Sequence, residues 1–471
     1  MSRTIDVLVA GSGLAGLMAA LTAAQDGRSV RLVTDGMGSL AISGGCVDLL
    51  GYAGGRRLDD PWNGMDLLPP EHPYRLLGAG NIRTALDMLR QCAAEQGWPL
   101  HTAVSPQGAP CNALLPTIMG TLKPSYLLPA GLNPTALTRA KRILVAGVRG
   151  LRDCRPALIV SQLRRYRDWA DKDFIQILLP SPLGETHRSL SALDLARLVD
   201  KTQGRDWLIR ALRAHAGQCD AVLLPPICGS RADASVWHEL SQAVGCPLVE
   251  MLSIPPGVGG LRLRDALLRE LRRHDFELVE NARLIRAETN GKQCTALVAL
   301  AAGQERRHRA RAFVLATGGI LGGGVELAPG KVRESVFGLD IPVPPDVTEW
   351  SEPEIFGSHV FSRLGVRVDG EMRPLDEAGQ TRWENVFFAG RSLGGYDFAT
   401  EKSGHGVALT TGWQAGRMAA AIAGKSGGPE SAYERTHQSR QMHRLHHLRG
   451  ALPGGGGHAQ VPGPAHDRPG L

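Results

Sequence analysis

The sequence predicts an α/β protein that opens with a Rossmann-like nucleotide-binding βαβ unit and carries an inserted α/β domain. Three observations predict it. A short apolar run at 4–10 leads directly into Gly11-Ser12-Gly13-Leu14-Ala15-Gly16, a G-x-G-x-x-G set between a strand and a helix, where its mechanism needs it. Far down the chain a second apolar strand, 313–319, again runs into small residues. Between the two, four short apolar runs alternate with helix-length segments, the pattern of an α/β domain.

Each element follows from its local pattern. Residues 4–10 form the continuous apolar run of a buried parallel strand. Residues 14–26 read as a helix and 30–34 as the second strand. The Gly- and Ser-rich segment 35–55 has little periodicity and reads as a loop. A Pro-rich stretch at 100–135 leads into strands expected at 142–147, 174–180, 221–225 and 247–252, so 61–258 is set apart as the inserted domain. A helix over 261–273 follows, then strands at 277–287, 294–301 and 311–317. This block returns to the first domain, which makes 1–60 and 259–424 one discontinuous unit. Residues 385–424 supply a strand, a Gly-rich turn and an amphipathic helix. The last stretch, 425–471, holds Gly454 to Gly457, several prolines and six histidines without apolar periodicity, and is expected to be disordered.

Composition limits the function classes. A chain of 471 residues with 43% hydrophobic and 21% charged content has room for two or three folded domains. Its 58 glycines exceed the average usage of about 7% and imply many tight turns. The net charge of +7 comes from arginines scattered along amphipathic stretches such as Arg262, Arg264, Arg269, Arg272 and Arg273. That is a solvated helix face rather than a nucleic-acid stripe, and it leaves room for an anionic substrate. The eight cysteines contain no Cys-x-x-Cys pair, so no disulfide frame, zinc site or iron–sulfur cluster is expected and the thiols are expected to be reduced and cytoplasmic. No apolar run reaches the ~18 residues of a membrane span, and any membrane association is expected to run through a partner.

The glycines at 11–16 each have a mechanical role: a tight turn, close approach of a phosphate, and helix-to-strand packing, with free N–H groups at the helix start holding the anion. A ribose-binding acid is expected about 20 residues further on. Thr34 ends that strand instead, and Asp35 comes one residue late, pointing to the other side if the strand persists. FMN, which has no adenosine ribose, fits that departure, with FAD held through Asp35 in a shifted turn as the alternative. Thr317-Gly318-Gly319 forms a second small-residue turn beside the cofactor. The third begins with Gly390-Arg391 and Gly394-Gly395 and ends with Gly404-His405-Gly406-Val407, where a helix dipole can face a flavin and stabilise the charge of its reduced ring.

These three ordered signatures, 11–16, 313–319 and 385–408, resemble those of the flavoprotein family that includes succinate dehydrogenase, fumarate reductase and glycerol-3-phosphate dehydrogenases. Further segments narrow the resemblance: Ser43-Gly44-Gly45-Cys46-Val47-Asp48-Leu49-Leu50, His72-Pro73-Tyr74, Leu115-Pro116-Thr117 with Gly120-Thr121, Arg333-Glu334 with Gly338-Leu339-Asp340, and Gly394-Gly395-Tyr396-Asp397. Over residues 4–424 the chain resembles the B-subunit family of anaerobic glycerol-3-phosphate dehydrogenase. The resemblance implies an FAD/NAD(P)-binding-type flavoprotein fold with FMN in this chain. It also implies two partners in the same dehydrogenase, a larger one that contains FAD and a membrane-associated one that contains iron–sulfur centres. The implied reaction oxidises sn-glycerol 3-phosphate to dihydroxyacetone phosphate, with electrons passed to quinone and then to fumarate or nitrate, in the cytoplasm at the inner face of the cell membrane.

Candidate site residues follow. Ser43, Gly44 and Gly45 stand where relatives wrap the flavin ring, against a plain flexible connection. Arg333 is a candidate for holding a phosphate or carboxylate bidentately, against a surface ion pair. His405 is a candidate donor to the flavin or general base, against a helix cap, and Lys402 shares that ambiguity. Two other readings stay open: a non-catalytic assembly protein that keeps the fold, and a stand-alone flavin dehydrogenase of another small hydroxy acid.

Overall fold

The computed structural model describes residues 4–184, 189–328, 330–354, 357 and 359–425. The expected tail, 425–471, lies outside the described residues from 426 onward. β1 (Ile5–Ala10), α1 (Leu14–Gln25) and β2 (Val30–Val33) form the expected opening unit. β1 is hydrogen-bonded on both edges and almost wholly buried, which is why it reads as a continuous apolar run. The helix α2 (Pro73–Glu95), kinked at Gly78, was not anticipated. Its Tyr74, Leu77, Ile82, Leu86 and Leu89 pack in the same core as α1, although the sequence pattern sets residues from 61 onward in the inserted segment.

After the hairpin β3 (Ala113–Pro116) and β4 (Leu122–Ser125) come the four strands expected in the insertion: β5 (Arg142–Val148), β6 (Asp173–Leu179), β7 (Ala221–Leu224) and β8 (Leu248–Glu250). They make a parallel sheet in the order β6-β5-β7-β8 with its own apolar core. The chain then returns through α3 (Val258–Leu271) to the first core.

The strand expected at 277–287 is two strands in two sheets. β9 (Phe276–Val279) runs parallel to β2, and β10 (Arg283–Asn290) joins β11 (Gln293–Ala301) and β12 (Gln304–His308) in an antiparallel sheet. The break falls at Asn281, whose φ of 55° reverses the chain; asparagine tolerates that region better than most residues, and the apolar pattern alone gives no sign of it. β13 (Ala310–Leu315), the hairpin β14 (Val325–Ala328) and β15 (Lys331–Glu334), and β16 (Val386–Phe388) follow.

The main sheet runs β9-β2-β1-β13-β16, all parallel. Ala10 pairs with Val33 and Leu315, and Leu315 with Phe388, so four strands end side by side and their following turns leave one edge together. The chain closes with α4 (Phe398–Glu401) and α5 (Gly404–Lys425). α5 lies directly on α1: a side chain at Gly412 would stand 2.3 Å from the carbonyl oxygen of Ala15, and one at Gly416 2.4 Å from that of Ala19. No described helix is long and apolar enough to cross a membrane.

Candidate functional site

The shared sheet edge brings the three glycine turns together. Two of the first three glycines are explained by the protein itself. A Cβ on Gly11 would stand 2.3 Å from the Ala316 carbonyl oxygen, and one on Gly16 1.8 Å from that of Gly11. Gly13 differs. Nothing lies within 4 Å of where its Cβ would be, its φ is an ordinary −69°, and no side chain caps the start of α1. A side-chain-free helix start whose first N–H groups lack a cap is an anion cradle.

Next to it, the Thr34 and Ser12 hydroxyls both donate to the Gly36 carbonyl, at 2.6 and 2.7 Å. Asp35 turns outward and accepts from Arg283 Nε at 2.9 Å, both side chains being exposed. The carboxylate expected for a ribose is thus engaged on the surface.

The second and third turns also touch. Gly318 has a φ of 86°, the Thr317 and Ser392 hydroxyls are 3.3 Å apart, and a Cβ on Gly319 would lie 3.2 Å from Arg391 Nη2. The Arg391 guanidinium sits over the Phe398 ring at 4.5 Å, and its Nη1 is buried without a hydrogen bond. Gly390 closes the ring of turns, its missing side chain 2.7 Å from Ala15 Cβ and its N–H donating to Thr411 Oγ1 of α5 at 2.9 Å. Three large apolar side chains, Met37 and Ile42 in the segment after β2 and Leu321 after the second turn, are exposed, the last at 98%. An orphaned guanidinium nitrogen, an open phosphate cradle and bare apolar side chains on neighbouring segments suit a flat, phosphate-bearing cofactor.

Ser43, Gly44 and Gly45 have a structural reason that sequence reasoning missed. A Cβ on Gly45 would meet Gly259 at 2.3 Å, and one on Gly44 would meet Leu252 Cδ2 at 2.4 Å. In return, Gly257, Gly259 and Gly260 at the start of α3 press on Ser43, Gly44 and Leu40. The segment is a backbone-to-backbone seam, and the residues after it, Cys46 to Leu50, are buried rather than a flexible connection.

Beyond that seam lies a polar cluster built from three distant segments. His405, in the first turn of α5, bonds through Nδ1 to the Cys46 carbonyl oxygen at 2.8 Å. Asp48 receives Ser125 Oγ at 2.6 Å and Lys123 Nζ at 2.5 Å, both from β4, and its own carbonyl accepts the Gly406 N–H at 2.9 Å. Burial alone would raise the Asp48 carboxyl, but the Lys123 ammonium, then His405, and the hydrogen bonds from Lys123 and Ser125 outweigh it and hold it below its ordinary value. Burial pushes the Cys46 thiol up to about 11, so it stays protonated. Burial, with Lys123 adding to it, depresses His405, and Asp48 opposes that. Lys402, lowered by burial and by Lys123, has φ 52° in the left-handed region. Its Cβ and Pro124 both close on Gly51, which puts it against the same loop.

The structure therefore gathers Lys402, His405, Gly404, Gly406 and Val407 with Asp48, Lys123 and Ser125, which sequence reasoning missed. Arg333 stands elsewhere, on β15, donating to Asp340 at 2.9 Å with both side chains exposed.

Comparison with known proteins places the chain in a family. Residues 6–407 match the model of the FAD binding domain family. The chain is 32% identical over 430 residues, 89% of its length and 99% of the relative's, to the probable B-subunit of anaerobic glycerol-3-phosphate dehydrogenase from Halobacterium salinarum. This chain belongs to the B-subunit family of anaerobic glycerol-3-phosphate dehydrogenase. The corresponding protein of Vibrio vulnificus is 30% identical over 417 residues, 86% of this chain and 94% of that protein. Among solved structures, the quinol fumarate reductase chain of E. coli aligns over 94% of this chain and 74% of its own, at 11% identity and a TM-score of 0.41. As a member of this flavoprotein oxidoreductase family, the chain carries its glycine turns within the matched residues 6–407.

Proposed function

We propose that this chain is the FMN-bearing B-subunit of an anaerobic glycerol-3-phosphate dehydrogenase, oxidising sn-glycerol 3-phosphate to dihydroxyacetone phosphate. FMN is favoured over FAD because the strand ends in Thr34, tied to Gly36, where a ribose-binding acid is usual, and the adjacent Asp35 is paired with Arg283.

The observation that carries the catalytic reading is the hydrogen bond from His405 to Cys46. A carbonyl only accepts, so Nδ1 holds the proton and Nε2 of the neutral ring presents a lone pair. His405 Nε2 takes the proton of the substrate's secondary hydroxyl. The Lys402 ammonium meets the phosphate dianion, with the start of α5 beside it. When bound, the flavin supplies the two-electron acceptor for the hydrogen on the same carbon. Gly11 to Gly16 and the start of α1 would hold its phosphate, Thr317 to Gly319 and Gly390 would line it, and Arg391 Nη1, buried without a hydrogen bond, would supply a donor. Arg333 has no part in this scheme.

A larger, FAD-containing partner and an iron–sulfur partner receive the electrons and pass them to quinone and then fumarate or nitrate. The iron–sulfur partner holds the assembly at the cytoplasmic face of the membrane. The relatives' names, each denoting one part of a multi-chain dehydrogenase, support the existence of partners.

The test is to purify the protein as expressed, release its cofactor by heat, and weigh it, then to follow dye reduction with glycerol 3-phosphate, succinate and 2-hydroxy acids, with and without the co-expressed partners. A yellow protein releasing FMN and preferring glycerol 3-phosphate is expected. A colourless protein, or a preference for another substrate, overturns the reading.

A further inference from the structure

The Asp48 carboxylate and the Lys123 ammonium bind each other beside the segment that supports His405. Residues 46–48 are stitched on three sides. Val47 exchanges backbone hydrogen bonds with Leu127, the Asp48 carbonyl takes the Gly406 N–H, and the Asp48 carboxylate binds Lys123 and Ser125. The Cys46 thiol lies 3.2 Å from Ser125 Oγ and 3.6 Å from Asp48 Oδ1, so it too is tied to the carboxylate. The carbonyl that orients the imidazole thus belongs to a residue fixed by its neighbour two positions on.

We propose that Asp48 and Lys123 are positioning residues that hold His405 in its proton-accepting tautomer and set the charge around it. The proposal rests on His405 being the proton acceptor described above. Asp48 acts in two ways. It fixes the Cys46 carbonyl, and its charge favours the imidazolium that forms when His405 takes the substrate proton. Lys123 neutralises most of that charge, so the ring stays neutral and ready between turnovers.

The other groups around His405 do not substitute for this pair. The Tyr74 hydroxyl from α2 donates to the Leu49 carbonyl at 2.7 Å and stays protonated because burial raises it. Glu401 from α4 is engaged by His72 at 3.2 Å and Ser403 at 2.8 Å. The Cys46 thiol is neutral. Lys402 is a further charge beside the cluster, with Asp397 acting on it from the start of α4, and it faces the proposed phosphate.

Opposite shifts test the idea. With the holoenzyme, the acidic limb of kcat against pH is expected to move down by about one pH unit in Asp48→Asn and up by a similar amount in Lys123→Gln. The double variant is expected to return toward the parent. The imidazole nitrogens of ring-15N-labelled protein, assigned to His405 by difference from His405→Gln, give a readout independent of turnover. Their titration should follow the same order, and the parent should show Nδ1 protonated. Ser125→Ala, which keeps both charges, serves as the second variant if Asp48→Asn does not fold, and is expected to lower kcat without moving the limb.

The two ideas fail differently. If His405→Gln leaves the acidic limb in place, His405 is not the proton acceptor. If the limb belongs to His405 but neither Asp48→Asn nor Lys123→Gln moves it, or both move it the same way, the positioning role is wrong.

Discussion

Lys402 occupies the left-handed region at φ 52° and ψ 54° as the residue closing α4, a conformation that costs a non-glycine residue roughly 1 kcal/mol. A side chain kept there at that cost is expected to serve something other than stability. Lys402→Asn should leave the thermal midpoint unchanged or slightly higher, because asparagine adopts this region readily. It should also lower kcat/KM for glycerol 3-phosphate at least tenfold, mostly through KM. A variant with full activity would remove Lys402 from the site. The glycines of the opening turn offer a second contrast. Gly13→Ala meets no protein atom and is expected to fold normally but to purify without flavin, as its visible absorbance would show. Gly16→Ala drives a methyl into the Gly11 carbonyl and is expected to lose the fold. Residues 11–16 were legible because strand, turn and helix are contiguous. The cluster of Asp48, Lys123 and Ser125 was not, because its members come from segments some 75 residues apart and no spacing rule joins them. Gly44 and Gly45, read as flavin contacts, also pack against Leu252 and Gly259, partners too distant in sequence for a spacing rule to show.

Elements meet through buried charges as well as apolar faces. Arg262 of α3 binds Glu250 of β8 at 2.5 and 2.9 Å and donates to the Gly229 carbonyl, all fully enclosed. By sequence Arg262 falls in a solvated row, because helical spacing cannot say which arginine faces inward. Glu250→Gln strands the guanidinium and is expected to cost about 3–5 kcal/mol, whereas Glu250→Leu with Arg262→Met should cost much less. Urea midpoints would decide between them. The β15 turn holds a different kind of buried acid. Glu334 accepts the N–H groups of Val336 and Phe337 at 3.0 and 2.6 Å, and burial, opposed by those bonds, pushes its carboxyl up to about 7 from the ordinary 4.5. A raised folded value means that the folded state holds the proton more tightly. Its contribution is therefore complete below about 4.5 and is lost as pH rises through about 7. Glu334→Gln is expected to shrink the stability difference between pH 5 and pH 8 by on the order of 2 kcal/mol, read by denaturant titration at both.

At the scale of the whole molecule, the sheets were legible and the packing between them was less so. Every strand of the parallel insertion and the inner members of the main sheet, β2, β1 and β13, announced themselves as short apolar runs, because parallel strands inside a covered sheet are buried on both faces. The helix α2 escaped notice. Its apolar residues are interleaved with Gly78, Gly80 and several charged residues, and only tertiary contact with α1 and α3 makes it a core element. The break at Asn281, which sends β9 and β10 to separate sheets, has no periodic signature either.

The seam between α1 and α5 has a mechanical consequence. Because Gly412 and Gly416 let one backbone rest on the other without intervening side chains, the amide groups at the head of α1 and the imidazole at the head of α5 are mounted on a single stiff bracket. The distance between the head of α1 and the head of α5 is then set by direct backbone packing rather than by a connecting loop. One methyl inserted at Gly412 would pry the bracket open, and catalysis should fall further than binding of the flavin phosphate, since the anchor rides with the sheet and the imidazole does not.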